Sequence, residues 1–153
     1  MGFVAAPHHP LMAERKLTMA KLSESHMLVR ERGSGSRTTL ARLFKEAGLR
    51  LRVGSELSSN EAIKQMCIAG FGPAYLSLHT CILEMKAGLL QLLPMPRNLI
   101  EREWFVVHRP GPSLPDVAAA FERFLRLRGQ YKIDQFLEER EASVERLTAG
   151  AKR

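Results

Sequence analysis

The chain has 153 residues, of which 45% are hydrophobic, and it carries a formal net charge of +7. That length suits one ordinary domain with a buried core, and no apolar run reaches the ~18 residues that a transmembrane helix needs. The N-terminus lacks the basic and long apolar segments of a secretory signal, so we expect a cytoplasmic protein without a membrane partner. Lys and Arg are scattered among acidic residues, and no cluster of them with interleaved aromatic residues occurs, which favours solvated surface charge over a nucleic-acid-binding face.

The first predicted strand, residues 3–6, leads into a Pro-His-His-Pro turn at residues 7–10. His8 and His9 have no further metal-ligand residues close by, so a stiff turn is favoured over a metal site. Residues 13–25 are polar and predict a loop with a short helical turn, and residues 26–30 predict a strand. Cys67 and Cys81 fall in helical segments, and we expect them to be reduced core residues.

A small flexible loop, residues 33–37 (Gly-Ser-Gly-Ser-Arg), separates the 26–30 strand from a predicted helix. It lacks the Gly-Lys-Ser/Thr ending of a P-loop and the full glycine spacing of a dinucleotide-binding loop. Apolar residues over 40–47 follow helical spacing, and Gly48 predicts the end of the helix. Arg37 lies in its first turn, and the sequence leaves open whether this helix start faces an anionic ligand or solvent.

Three small polar residues, Ser58, Ser59 and Asn60, predict the start of a second helix. Apolar residues over 62–69 form one face of that helix, Gly70 predicts its left-handed end, and residues 74–77 predict a buried strand. A polar helix start beside a sheet is a common place to hold an anion. The alternative is that the three residues only cap the helix, which is worth about 1 kcal/mol.

The remaining elements alternate between strands and helices. Strands are predicted at 49–56, 89–93 and 103–108, and a helix from residue 77 or 78 to 85 with Gly88 beyond it. A capping-box pattern at 113–116 starts a helix with an apolar face of Val117, Phe121, Phe124 and Leu125. A further helix is expected beyond Gly129, and residues 149–153 as a frayed tail. This order predicts an α/β fold with a largely parallel sheet flanked by helices.

Several of these segments together resemble a known family. They are Val4-Ala5-Ala6-Pro7-His8-His9-Pro10-Leu11, Leu28-Val29-Arg30-Glu31-Arg32-Gly33-Ser34-Gly35-Ser36-Arg37, Ser59-Asn60-Glu61-Ala62-Ile63-Lys64-Gln65, Ile68-Ala69-Gly70, Gly72, Leu76-Ser77, His79-Thr80 and Trp104-Phe105-Val106-Val107-His108-Arg109. In this order, over residues 3–128, they resemble the effector-binding half of LysR-type transcriptional regulators. The resemblance is strongest to the Calvin-cycle (CbbR-type) group, which controls RuBisCO operons.

The resemblance implies a periplasmic-binding-protein-like (type 2) sensor of two lobes, with the effector in the cleft between them and a winged helix-turn-helix before them. Residues 1–10 would then be a crossover strand, 11–101 the second lobe, 102–128 a return to the first lobe, and 129–153 a charged C-terminal helix or tail. The DNA-binding domain and most of the first lobe would be missing, so DNA would be a partner only through that missing domain. The apolar face of helix 115–128 would lack its usual cover, and we expect homo-oligomers.

The implied function is sensing of a small anionic metabolite, such as NADPH or a phosphorylated metabolite, with no other cofactor and no metal. The candidate effector-binding residues are Ser58, Ser59, Asn60, Arg37, Arg30 and Gly72. The arginine side chains would supply positive charge. The start of the second helix would supply hydroxyl, amide and backbone donors.

Three alternatives remain. A solute-binding protein of the same fold would need an export signal, which the sequence lacks. A truncated, non-functional regulator fragment would show the same motifs. An enzyme is disfavoured because Ser77 and His79 have no acid partner in a catalytic pattern, and His79 and Cys81 have no further zinc-like ligands.

Overall fold

The computed structural model describes residues 1–95, 100, 103, 105–111 and 113–150, with the helical backbone alone at 136, 137 and 139–150. The chain forms two compact units, Met1–Glu101 and Arg102–Arg153. The division of the sequence into a crossover, a second lobe and a return to a first lobe stays a prediction.

The first unit alternates strands and helices, as the sequence predicts. Its strands are β1 (Gly2–Ala5), β2 (Met27–Arg30), β3 (Val53–Leu57), β4 (Ala74–Leu76) and β5 (Gln91–Leu92), and its helices are α1 (Met19–Leu22), α2 (Gly35–Glu46), α3 (Asn60–Ile68) and α4 (Ile82–Lys86). Short 3₁₀ helices span Pro10–Ala13 and Leu78–Thr80. The second unit contains α5 (Asp116–Gly150).

The five strands form one sheet in the order β3-β2-β4-β1-β5. Strand β2 runs parallel to β3 and to β4, whereas β1 is antiparallel to β4 and to β5. Four strands therefore share one direction and β1 opposes them, which confirms the α/β fold and makes the sheet mixed, with both antiparallel pairings at β1. Because β2, β3 and β4 are parallel neighbours, their carboxyl ends meet at one edge of the sheet, called the carboxyl edge below.

Helices cover both faces of the sheet because successive strand residues point to opposite sides. On one face, Met27 and Val29 of β2 belong to a buried cluster with Leu40 and Phe44 of α2. On the other face, Leu28 belongs to a second buried cluster, which includes residues 63 and 67 of α3. The strands β1 and β4 are buried along their whole length, as expected for strands with a helix layer on each side.

Glycines end the two long helices of this unit at the predicted positions. Gly48 follows α2 with φ 67°, and Gly70 follows α3 with φ 84°. In both cases the next residue closes the helix, since Leu49 N donates to Phe44 O at 2.8 Å and Phe71 N donates to Met66 O at 3.1 Å. Glycine adopts this left-handed conformation without the cost that a Cβ would bring.

Several element predictions need correction. The strand predicted at 49–56 is shifted, and β3 spans Val53–Leu57. The single helix expected from residue 77 or 78 to 85 is divided into a 3₁₀ turn and α4, with Cys81 between them. The helix expected to end near Gly129 continues through it in α5. One interior glycine costs only about 1 kcal/mol, which good helix formers on both sides outweigh.

The predicted strand at 103–108 is wrong for the residues that the structure describes there. Residues 103 and 105–108 have no regular secondary structure, and in the described sheet no strand pairs with them. Phe105 and Val107 are 75% and 84% exposed. Alternating apolar residues produce a strand only where a neighbouring strand supplies hydrogen bonds.

The turn and cysteine predictions are confirmed. His9 caps the first 3₁₀ helix, with Nδ1 accepting from Leu11 N at 3.2 Å. Cys67 and Cys81 are both free and buried. Within the described ranges, no group of three or more His, Cys, Asp or Glu side chains could hold a metal ion, and no helix is long and apolar enough to cross a membrane.

Candidate functional site

Arg30, the last residue of β2, organises the polar groups at the carboxyl edge. Its Nη1 donates to Asn60 Oδ1 at 2.7 Å, and its Nε and Nη2 donate to the two carboxylate oxygens of Glu31 at 2.7 and 2.9 Å. The Arg30 side chain is 22% exposed. The hydrogen bond from Arg30 lowers the pKa of Glu31, so both groups are charged at neutral pH. Two residues separated by 30 positions in the sequence are thereby joined at one site.

The start of α3 divides its polar residues between capping and the site. Ser59 is the N-cap, and its Oγ accepts from Ala62 N at 3.4 Å. Asn60 is half-buried and turns its amide to Arg30 instead of capping the helix. Ser58 and Ser59 are exposed. The helix start is therefore both a cap and, through Asn60, part of the arginine site.

The start of α2 lies at the same edge, because the helix begins a few residues after β2 ends. The N-cap residue Ser34 makes no side-chain cap, and its Oγ instead lies 2.8 Å from Ser36 Oγ. In the first turn, Arg37 has a buried Nη1 nitrogen without a hydrogen-bond partner in the described part of the chain. A buried guanidinium N–H needs an acceptor, and an anion would supply one.

Gly72 is not brought together with the other candidate residues. It precedes β4, at the opposite edge of the sheet, beside the carbonyl of His26 that precedes β2. A Cβ at Gly72 would overlap with that carbonyl oxygen. Close packing of two backbones therefore explains this glycine, and the candidate site at the carboxyl edge does not include it.

Two residues at this edge were missed from the sequence. Glu31 follows Arg30 directly and accepts hydrogen bonds from its guanidinium, a pairing that strand or helix periodicity does not indicate. Ser77 follows β4, is half-buried, and starts a 3₁₀ helix without a side-chain cap. The pairing of Leu28 with Ala74 puts Ser77 level with Glu31. The rule that ligands bind outside the carboxyl ends of parallel strands would have indicated both positions.

The clefts described on this unit lie elsewhere. A cleft of 530 Å³ is lined by Ser23, His26 and residues 50–53. A second cleft, of 440 Å³, is lined by residues that include His9, Glu14 and Gly72. A third, of 870 Å³, is lined by residues 15–19 and 92–95. None of these three is lined by Arg30, Arg37 or Asn60, and the candidate site is described by its hydrogen-bonding groups.

Residues 1–130 match the family described as the LysR substrate binding domain, and the chain belongs to that family. It is 38% identical over 122 residues to the RuBisCO operon transcriptional regulator of Allochromatium vinosum and 41% identical over 126 residues to the HTH-type transcriptional regulator CbbR of Rhodospirillum rubrum. These matches cover 80% and 82% of this chain, and 40% and 42% of the relatives. The chain thus spans about two fifths of their length.

Solved structures agree with this assignment. The regulatory domain of CcmR from Synechocystis PCC6803, solved in complex with 2-PG, superposes with a TM-score of 0.73 at 33% identity, over 81% of this chain and 60% of that one. The effector binding domain of QuiR in complex with shikimate gives a TM-score of 0.69 at 16% identity, over 85% of this chain and 61% of that one, which shows the fold alone. The chain is therefore a LysR-type effector-binding domain related to the regulators of carbon fixation, as its motifs indicate.

Proposed function

We propose that the chain is the sensing part of a cytoplasmic transcriptional regulator of carbon-fixation genes and binds a small anionic metabolite. Binding would modulate how the whole regulator acts on DNA through a helix-turn-helix domain outside these residues. The relatives named as RuBisCO operon and CbbR regulators support this role over a solute-binding protein or an enzyme. The complex of the CcmR regulatory domain with 2-PG supports an anionic effector.

The arrangement of Arg30, Asn60 and Arg37 carries the proposal. A half-buried arginine is fixed by Asn60, and a second arginine in the first turn of α2 has a buried nitrogen that needs an acceptor. Two helix starts, of α2 and α3, lie at the same edge, and their backbone N–H groups favour negative charge. Ser58 and Ser59 are exposed and can add hydroxyl donors.

A phosphate or carboxylate suits this set of groups, because arginine forms paired hydrogen bonds to both. Phosphorylated metabolites, 2-PG and NADPH are the ligands to test. In our proposal the protein only binds the metabolite and changes none of its bonds.

A thermal-shift panel tests the proposal with 2-PG, ribulose bisphosphate, phosphoenolpyruvate, NADPH, ATP and inorganic phosphate. A ligand present at about a hundred times its dissociation constant stabilises a single-site protein by about 2.7 kcal/mol. We expect a selective shift with one phosphorylated metabolite. No shift with any of the six would contradict the proposal for this chain.

Two variants locate the site. Asn60→Ala removes the side chain that fixes Arg30, and we expect it to weaken binding about tenfold, since a hydrogen bond to a charged group contributes about 1.5–3 kcal/mol. Gln65→Ala is the matched control, because this amide lies on the exposed side of the same helix and contacts Glu61. An Asn60→Ala protein that is less stable but binds with unchanged affinity would show that the bond between Asn60 and Arg30 is structural and does not serve binding.

We also propose that the chain self-associates through the apolar face of α5. Three apolar side chains on this face are exposed: Val117 (83%), Phe121 (60%) and Phe124 (44%). The two phenylalanine rings are stacked, with their centroids 6.5 Å apart. Exposed apolar stripes mark interfaces, and a second copy carries the same stripe for a two-fold pairing. Light scattering should show a dimer that Phe121→Glu dissociates and that Arg123→Glu, at an exposed position on another side of the helix, does not. A wild-type monomer at all concentrations would refute the pairing.

A further inference from the structure

The side chain of Arg30 is already engaged by other residues of the chain. A guanidinium group has five N–H donors, and the structure uses the Nε and Nη2 pair for Glu31 and one Nη1 donor for Asn60. The Nε and Nη2 pair is one of the forks through which arginine binds carboxylate and phosphate bidentately. The neighbouring carboxylate therefore occupies donors that an anionic effector would use, and it cancels the charge of Arg30.

The backbone of Glu31 is fixed, whereas its side chain can leave. Glu31 N donates to Leu57 O at 3.1 Å, and Glu31 O accepts from Ser34 N at 3.2 Å, so the residue is tied both to β3 and to the loop before α2. The side chain is 40% exposed, compared with 22% for Arg30. Its carboxylate therefore already has access to water, and the hydrogen bond to Asn60 holds Arg30 independently of Glu31.

We propose that Glu31 is an internal competitor of the effector, which rests on the proposed function of this edge as an anion site. An incoming phosphate or carboxylate takes the Nε and Nη2 donors of Arg30, and the Glu31 carboxylate moves to solvent. Glu31 thereby lowers the affinity for every anion that uses Arg30. It also sets selectivity, since a doubly charged phosphate displaces a carboxylate more readily than a singly charged anion does.

Isothermal titration calorimetry on the full chain, with 2-PG and inorganic phosphate as probes, tests this role. Glu31→Gln keeps the size of the side chain and one hydrogen-bond acceptor but removes the charge, and the backbone bonds to Leu57 and Ser34 do not depend on it. The matched control is Glu46→Gln. Glu46 also accepts from an arginine, Arg42, at 3.1 Å, but at the far end of α2, so the control changes the net charge equally and leaves Arg30 paired.

We expect Glu31→Gln to bind 2-PG about five- to tenfold more tightly than wild type, and Glu46→Gln to bind within about twofold of wild type. Binding by Glu31→Gln alone, with wild type below detection, would support the competitor role as well. If wild type binds and Glu31→Gln binds equally or more weakly, the competitor role is refuted while the effector site stands. If no variant binds either probe, the competitor role is refuted, and the effector site is then decided by the six-ligand thermal-shift panel. Circular dichroism of each variant confirms that the fold is kept.

Discussion

Replacement of Lys64 by methionine tests how α3 is held in place. The Lys64 side chain is 6% exposed, and its Nζ lies 2.6 Å from Glu84 Oε1 on α4 and 2.8 Å from Glu61 Oε2 on its own helix. The other oxygen of Glu84, Oε2, is buried without a hydrogen-bond partner in the described part of the chain. Lys64→Met would leave the Glu84 carboxylate buried and without its cation.

The expected loss is large because the remaining charge cannot reach water easily. Removal of one partner of a buried ion pair costs about 3–5 kcal/mol, against a total stability of about 5–15 kcal/mol for a typical domain. If Glu84→Leu is added to Lys64→Met, most of the loss should be restored, since an apolar pair of similar volume is often neutral or stabilising. Glu61→Gln is the control, and it should cost less than about 1 kcal/mol because Glu61 is 63% exposed.

Urea unfolding followed by far-UV circular dichroism measures these free energies, and hydrogen exchange of the β2 and β4 amides shows that the change affects the first unit. Lys64→Met should move the unfolding midpoint strongly to lower urea, and the double variant should move it back. A loss below about 1 kcal/mol for Lys64→Met would refute the reasoning. A double variant as unstable as the single one would show that the unpaired charge of Glu84 does not cause the loss.

Three further predictions concern the same unit. Burial by itself would lower the pKa of Lys64, but hydrogen bonds to its two carboxylate partners outweigh it and raise the pKa. From neutral pH up to the unfolded lysine pKa of about 10.4 the contribution of Lys64 is thus fully present, and urea midpoints should fall as the pH rises above that value. Burial raises the pKa of the Cys67 thiol to about 12. Thiol reagents at pH 8 should therefore label Cys67 only after the protein unfolds, and rapid labelling of the folded protein would contradict its burial. Gly72→Ala should lower the free energy of unfolding in urea by about 3 kcal/mol, because the new Cβ clashes with the carbonyl of His26. Gly33→Ala should lower it by about 1 kcal/mol, because Gly33 has open space around it and only its φ of 92° is unfavourable. Equal losses would refute the packing explanation for Gly72.

Local signals in the sequence were sufficient for α2 and α3, the two long helices of the first unit. Ser59 and Gly70 bound α3 in the sequence and in the structure, because capping and a left-handed turn depend on neighbouring residues only. The alternation of strands and helices likewise predicted the α/β class. The motifs predicted the family, since each keeps its spacing within one or two elements.

Contacts between distant segments were decided by the tertiary structure alone. The 103–108 segment has the pattern of a strand, but a strand also needs a partner, which the described sheet does not give it. Lys64 has the i,i+3 spacing of an exposed pair with Glu61, yet the packing of α4 buries it against Glu84. Arg30 meets Asn60 because parallel strands β2 and β3 end at the same edge. Spacing along the chain determines what lies on one helix or strand, whereas the sheet order determines which of these groups meet in a site.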